Sequence, residues 1–205
     1  MKLLKATKTN IAAAAQTVTN GGLVVYPTET VYGLGCDPFN VNAVKRLLEV
    51  KGERSKPLPI LAASISDADK IVSISRMGKR LAAKFWPGQL TMVFTKKPGL
   101  PAVVTFDWDS VGLRIPDNDV ALEMIRLSGG LLVGSSANRT GDAPPRAVQE
   151  ISEELKEMVD VVLDGGAVIY GTPSTVADLT AEKPRILREG PVSLKMLLDA
   201  LALSD

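Results

Sequence analysis

Three short stretches and two isolated arginines concentrate the side chains able to hold an anion or activate a small molecule. Tyr26-Pro-Thr-Glu-Thr-Val-Tyr-Gly-Leu-Gly35 supplies two hydroxyls, a carboxylate and two glycines that allow a ligand close to the backbone. The same residues also read as a tight turn whose threonines satisfy local main-chain groups. Lys51-Gly-Glu-Arg-Ser-Lys-Pro57 places three cations within six residues, enough to hold phosphates, or else to complement the carbonyl end of the preceding helix. Ser135-Ser-Ala-Asn138 follows the apolar run Leu131–Val133, where strand ends carry ligands, and reads equally as a Ser or Asx turn. Arg114 lies inside the apolar run Val111–Ile115 and needs a partner if buried; Arg188 in Ile186-Leu-Arg-Glu-Gly190 raises the same question.

Composition narrows the chemistry. The chain has no histidine, which excludes Ser-His-Asp and Cys-His nucleophilic sites, His-based zinc sites and a His general base. A lone cysteine, Cys36, excludes an internal disulfide and suits a reducing, cytoplasmic setting. Lys, Arg, Asp, Glu, Ser, Thr, Asn, Tyr and backbone dipoles remain. A net charge of +1 argues against a polycation, leaving a local basic patch open. There is no P-loop, and Gly33-Leu-Gly-Cys-Asp-Pro38 breaks the dinucleotide fingerprint at its last position.

The elements that must position these groups alternate along 205 residues, read as one domain spanning 1–205. Strands are expected at Leu3–Ala6, Leu23–Tyr26, Val31–Leu34, Leu58–Ala63, Leu90–Thr95, Val111–Ile115, Leu131–Gly134, Asp160–Leu163, Thr175–Leu179 and Arg185–Arg188. Helices are expected from a cap at Asn10 to Gly21-Gly22, over Val41–Val50, from a cap at Ser75 to Phe85, near Val120–Leu127, over Ala147–Met158, and after a cap at Ser193. The N-terminal Lys-rich segment reads as part of the first helix rather than a leader, and no apolar run reaches the ~18 residues of a membrane span. Helices alternating with strands early, and strands clustering late, predict an α/β (α+β) fold with a mixed sheet and flanking helices.

In order, Pro27-Thr-Glu-Thr-Val-Tyr-Gly-Leu-Gly35, Lys51–Leu58, Trp86-Pro-Gly-Gln-Leu-Thr91, Val111-Gly-Leu-Arg-Ile-Pro116, Ser136-Ala-Asn138, Pro173-Ser-Thr-Val176 and Leu187-Arg-Glu-Gly190 resemble the YrdC-like threonylcarbamoyl-AMP synthases, from about Gly21 to Gly190. The resemblance implies a twisted mixed sheet around a positively charged concave groove, in a single-domain form. It implies nucleotidyl transfer: L-threonine, bicarbonate and ATP, with Mg2+, give threonylcarbamoyl-adenylate and pyrophosphate. A separate transferase then modifies adenosine 37 of tRNA. By resemblance, Thr28, Thr30, Arg114 and Ser174 hold threonine; Lys51, Arg54 and Lys56 carry the catalytic charge; Arg54, Lys56, Ser110, Ser136, Asn138 and Arg188 line the ATP side. Glu29 is a candidate for orienting substrate or metal, and no protein-held metal site is expected.

Two departures stand out. Lys51-Gly-Glu-Arg54 spaces the arginine one residue beyond the family's K-x-R-P, and Asn138-Arg-Thr-Gly-Asp-Ala-Pro-Pro145 lacks a serine expected to face ATP, leaving Thr140 or a backbone group in its place. A rival reading is a non-enzymatic module of this fold binding tRNA or double-stranded RNA. An aromatic content of 4% counts against single-strand recognition by stacking. A third is the carbamoyl-transfer domain of hydrogenase maturation, which belongs to longer chains.

Overall fold

The computed structural model describes residues 1–53 and 55–202. Among the described residues, eleven strands and eight α-helices are ordered β1(Lys2–Lys5), α1(Lys8–Thr19), β2(Val24–Tyr26), β3(Gly33–Gly35), α2(Val41–Lys51), β4(Ile60–Ala62), α3(Ile65–Asp69), α4(Arg76–Phe85), β5(Leu90–Thr95), α5(Ala102–Thr105), β6(Ser110–Arg114), α6(Asp119–Leu127), β7(Leu131–Val133), β8(Ser135–Ser136), α7(Glu153–Met158), β9(Val161–Asp164), β10(Thr175–Asp178), β11(Arg185–Arg188) and α8(Leu194–Ala202). The mixed α/β class holds, but the strands divide into two sheets. One has the order β1-β9-β2-β3-β8 and the other β11-β10-β5-β6-β4-β7. Each mixes parallel and antiparallel pairs.

Local chemistry explains most helix starts. Asn40, Ser64, Ser75, Asn118 and Ser152 each accept a hydrogen bond from a first-turn amide, satisfying a donor the helix leaves open. The first helix corrects the expectation of an Asn10 cap: Thr7 is the cap, its hydroxyl accepting from Asn10 N, and Asn10 sits one turn inside. The expected helix over Ala147–Met158 is a single 3-10 turn at Val148–Glu150 followed by α7, because Ile151 takes an extended conformation and Ser152 caps anew. The strand expected at Val31–Leu34 begins at Gly33, since residues 28–31 form a hydroxyl-bridged turn.

The second sheet has a core face and a cavity face, as period-2 alternation demands. Leu90, Met92, Phe94, Leu113 and Ala177 point into the main apolar core. Thr91, Val93, Gly112, Arg114, Val176 and Asp178 point the other way and line a cavity. A second apolar cluster joins Ile11, Ala14, Ala15 and Val18 of α1 to Ala121, Met124 and Ile125 of α6 beneath β2 and β9. The chain passes between sheets at Gly134: β7 belongs to one sheet and β8 to the other. A side chain at Gly134 would meet Leu61 Cγ at 2.4 Å, so only glycine fits where the sheets converge.

Candidate active site

The two sheets and their connecting loops enclose a cavity of about 1170 Å³. Thr28, Thr30 and Gly33 come from the first sheet and its turn. The second sheet contributes Thr91, Ser110, Gly112, Arg114 and Arg188. Ser174, Ser136 at the end of β8, and the loops bearing Lys56 and Thr140 close the wall. Among the described lining residues the cations are Lys56, Arg114, Arg185 and Arg188 and the anions Glu53 and Asp178, with Arg185 paired to Asp178 at 3.2 Å.

Arg114 is a buried charge held by two side chains of the protein. It is 6% exposed, and its Nη1 donates to Glu29 Oε1 at 3.1 Å and to Thr30 Oγ1 at 3.0 Å. The hydroxyl bonds beyond it have one consistent direction. Thr28 Oγ1 donates to Val31 O at 2.6 Å, so in the 2.9 Å contact between the two hydroxyls Thr30 is the donor and Thr28 the acceptor. Thr28 also accepts from the amides of Thr30 and Val31. Its hydroxyl is committed to the turn, which supports Thr30, which supports Arg114. The remaining N–H groups of Arg114 make no protein hydrogen bond among the described residues, although its side chain lines the cavity. A planar cation held on one edge and open on the other matches a carboxylate.

Glu29 is 1% exposed, and its carbonyl accepts from Tyr170 N at 3.0 Å. Burial pushes its carboxyl above the ordinary value, against the opposing pull of Arg114 and of the main-chain amides of Glu29 and Asp117.

Across the cavity, Ser174 Oγ lies 2.8 Å from Thr91 Oγ1. Arg188 holds the same residue: Nε and Nη2 donate to Ser174 O at 3.1 and 2.7 Å, and Nη2 reaches Ser174 Oγ at 3.2 Å. Gly190 makes this possible, because a Cβ there would lie 2.4 Å from Thr175 N and 2.8 Å from the Ser174 carbonyl carbon. The sequence segment ending in Gly190 is thus a backbone-on-backbone seat for the Pro173–Val176 loop.

Lys51 ends α2 and is 2% exposed. Its Nζ donates to Ser136 O at 2.6 Å and to Asn138 O, and its carbonyl accepts from Thr140 N at 2.9 Å. It therefore braces the Ser135–Thr140 loop from below. Asn138 also shapes that loop, its Nδ2 donating to Arg139 O and Asp142 O at 2.7 and 2.8 Å. Ser136 and Thr140 line the cavity, as do Ser110 and Lys56. Arg54 lies outside the described residues.

Thr91, quoted above only as the end of the Trp86–Thr91 motif, and Trp108 line the cavity without a site role assigned from sequence. Thr91 was signalled by strand period: it lies on the register Thr91↔Val176 beside the strand that carries Arg114. Cys36 is fully buried, and burial pushes its thiol up to about 12, so it is an inert part of the core.

The two-sheet α/β scaffold thus surrounds a cavity whose wall combines a buried arginine, held on one edge, with hydroxyls and further cations. The family described as telomere recombination, Sua5/YciO/YrdC, matches residues 16–190. The threonylcarbamoyl-AMP synthase of Pyrococcus abyssi is 38% identical over 187 residues, covering 90% of this chain and 55% of the relative, so the chain spans about half of that protein's length. The threonylcarbamoyl-AMP synthase of Klebsiella pneumoniae is 34% identical over 185 residues, covering 88% of this chain and 95% of the relative. The structure of P. abyssi Sua5 complexed with L-threonine superposes with a TM-score of 0.94 at 35% identity, over 98% of this chain and 61% of that one. E. coli YciO shares the fold, with a TM-score of 0.86 at 24% identity, over 96% of this chain and 98% of that one. The chain belongs to the Sua5/YciO/YrdC family.

Proposed function

We propose that this protein is an L-threonylcarbamoyladenylate synthase. The observation that carries the reading is Arg114, buried at the cavity wall, fixed by Glu29 and Thr30 on one edge and open on the other. Its open edge would take the carboxylate of threonine, with the Thr30 and Ser174 hydroxyls within the same cavity for the polar substituents. Family membership and the L-threonine complex of the P. abyssi relative support the assignment.

The reaction needs no histidine. The neutral amine of threonine adds to CO2 from bicarbonate, forming an N–C bond and releasing a proton. A carbamate oxygen then attacks the α-phosphorus of ATP, and the bond from that phosphorus to the β-phosphate bridging oxygen breaks, releasing pyrophosphate. Such transfers depend on positioning and charge neutralisation. Lys56 and Arg188, with Arg54 by sequence, would supply positive charge; Ser110, Ser136 and Thr140 would supply hydroxyls along the phosphates and ribose. Lys51 and Asn138 would act by holding the Ser136 loop in place. Among the described residues no three His, Cys, Asp or Glu side chains come together. Mg2+ is proposed as a companion of the ATP phosphates, where it would neutralise charge.

The product would feed a separate transferase that modifies tRNA, and tRNA itself is a proposed partner. The cytoplasm is the proposed site of action, in keeping with a single buried cysteine. Among the described residues no helix is long and apolar enough to cross a membrane.

Pyrophosphate release measured with each of the twenty amino acids, with and without bicarbonate, tests the assignment. Release that requires threonine and bicarbonate together, with serine a poor substitute, is expected. Equal turnover with leucine or valine would overturn it, and no turnover beside tight RNA binding would favour the non-enzymatic module.

A further inference from the structure

Trp108 lines the cavity just before β6, at the opposite end of that strand from Arg114, and we infer that it is the stacking platform for the adenine of ATP. The inference rests on the proposed function and adds a residue that neither the motifs nor the carboxylate seat requires. Along β6 the cavity-lining positions are Arg114, Gly112 and Ser110, alternate residues of one strand face. At about 3.3 Å per residue, Arg114 and Ser110 stand about 13 Å apart, with Trp108 two residues further. An adenylate of a carboxylate-bearing amino acid has its anion at one end and its base at the other. With the carboxylate on Arg114, the base falls towards Trp108.

Two aromatic side chains line the cavity among the described residues, Tyr26 and Trp108. Tyr26 is fully buried, its hydroxyl directed at Val133 O, so its ring has no open face. Trp108 is 53% exposed while lining the cavity. An exposed indole ordinarily gains by turning into the core; here the backbone holds it out. Phe106 and Asp107, just before it, have φ of 51° and 61°, a left-handed conformation that non-glycine residues seldom adopt singly and here adopt in succession. The turn is pinned by Trp108 N to Thr105 O at 2.9 Å, Lys96 N to Asp109 O at 2.9 Å and Lys96 Nζ to Thr105 Oγ1 at 3.1 Å. Leu58 N donates to Val104 O at 2.9 Å, tying the Lys56-Pro57 loop to the same turn. A cation, Lys56, and an exposed aromatic ring, Trp108, thus line one cavity on loops tied to each other, the pairing a nucleotide requires.

The test compares ATP with inorganic tripolyphosphate, which has the same charges and no base, by calorimetry on wild type, Trp108→Ala and Trp108→Phe. Trp108→Ala should weaken ATP about 5- to 100-fold. It should leave tripolyphosphate and threonine affinities unchanged, and Trp108→Phe should recover most of the loss. GTP should lose affinity in parallel with ATP, because stacking reads a π-face rather than a hydrogen-bond pattern. Equal ATP affinity in wild type and a folded Trp108→Ala overturns the platform while leaving the synthase reading intact. Equal losses for ATP and tripolyphosphate overturn it too, since the turn would then be shaping the cation loop alone. Wild type that binds no nucleotide sinks both readings.

Discussion

The ammonium of Lys51 donates to the main-chain carbonyl of Ser136 at 2.6 Å from beneath the loop, and a second donation goes to Asn138 O. A lysine that closes a helix in sequence is, in the folded protein, the brace for a cavity wall. Lys51→Met should therefore act first on stability. Losing two charge-assisted hydrogen bonds to partly buried acceptors should cost about 2–5 kcal/mol, or about 5–15 °C in melting temperature for a chain of this size. Urea or thermal melts check it; an unchanged melting temperature with lost turnover would instead assign Lys51 to the chemistry.

Arg114→Ala should weaken threonine binding by about 10- to 150-fold, the equivalent of about 1.5–3 kcal/mol for one charged hydrogen-bonding partner. Tripolyphosphate affinity should stay as in wild type. Calorimetry on the folded variant decides; unaltered threonine affinity would make Arg114 a partner of Glu29 and nothing more.

Glu29 makes a prediction about pH. Burial raises its carboxyl above the ordinary 4.5. The folded state thus keeps a proton that the unfolded chain has released, and that contribution to stability is full below 4.5 and is lost as pH rises through the raised value. Glu29→Gln cannot titrate. Urea stabilities compared from about pH 4 to about pH 7 should shift in favour of the glutamine variant as pH rises. A pH-independent difference would show that Arg114 fully offsets the burial.

Gly190→Ala should disturb Ser174 through the backbone. The new methyl has no room beside Thr175 N and the Ser174 carbonyl carbon, and overpacking of this kind costs about 1–3 kcal/mol. The threonine KM should rise with it, whereas Glu189→Ala, at an exposed neighbour, should change neither. A Gly190→Ala protein with wild-type melting temperature and KM would refute the seat.

Arg54→Ala, predicted from sequence, should raise the ATP KM or lower turnover more than it lowers melting temperature. Its neighbours Glu53, Ser55 and Lys56 line the cavity. Steady-state kinetics beside a thermal melt separate the two effects. Full activity would move the phosphate contact elsewhere.

Several features were legible in the residues alone. The strands bearing Leu90–Thr95 and Val111–Arg114 show in their β-branched and alternating pattern, and Ser75 and Ser193 announce helix starts whose amides they satisfy, because propensity and capping act within a few residues. The ordered motifs from Pro27 to Gly190 pointed to the family and to a cavity wall made of Thr30, Arg114, Ser174 and Arg188. Tertiary structure alone decided the rest. Whether Lys51 meets water or two carbonyls, and whether Arg114 finds Glu29 and Thr30, depend on partners 84 to 87 residues away. The division into two sheets at Gly134 likewise comes from long-range strand pairing, whose partners no local pattern names. Local sequence determines which element forms; solvation and the competition for buried hydrogen-bond partners, settled only on packing, determine what each polar side chain is for.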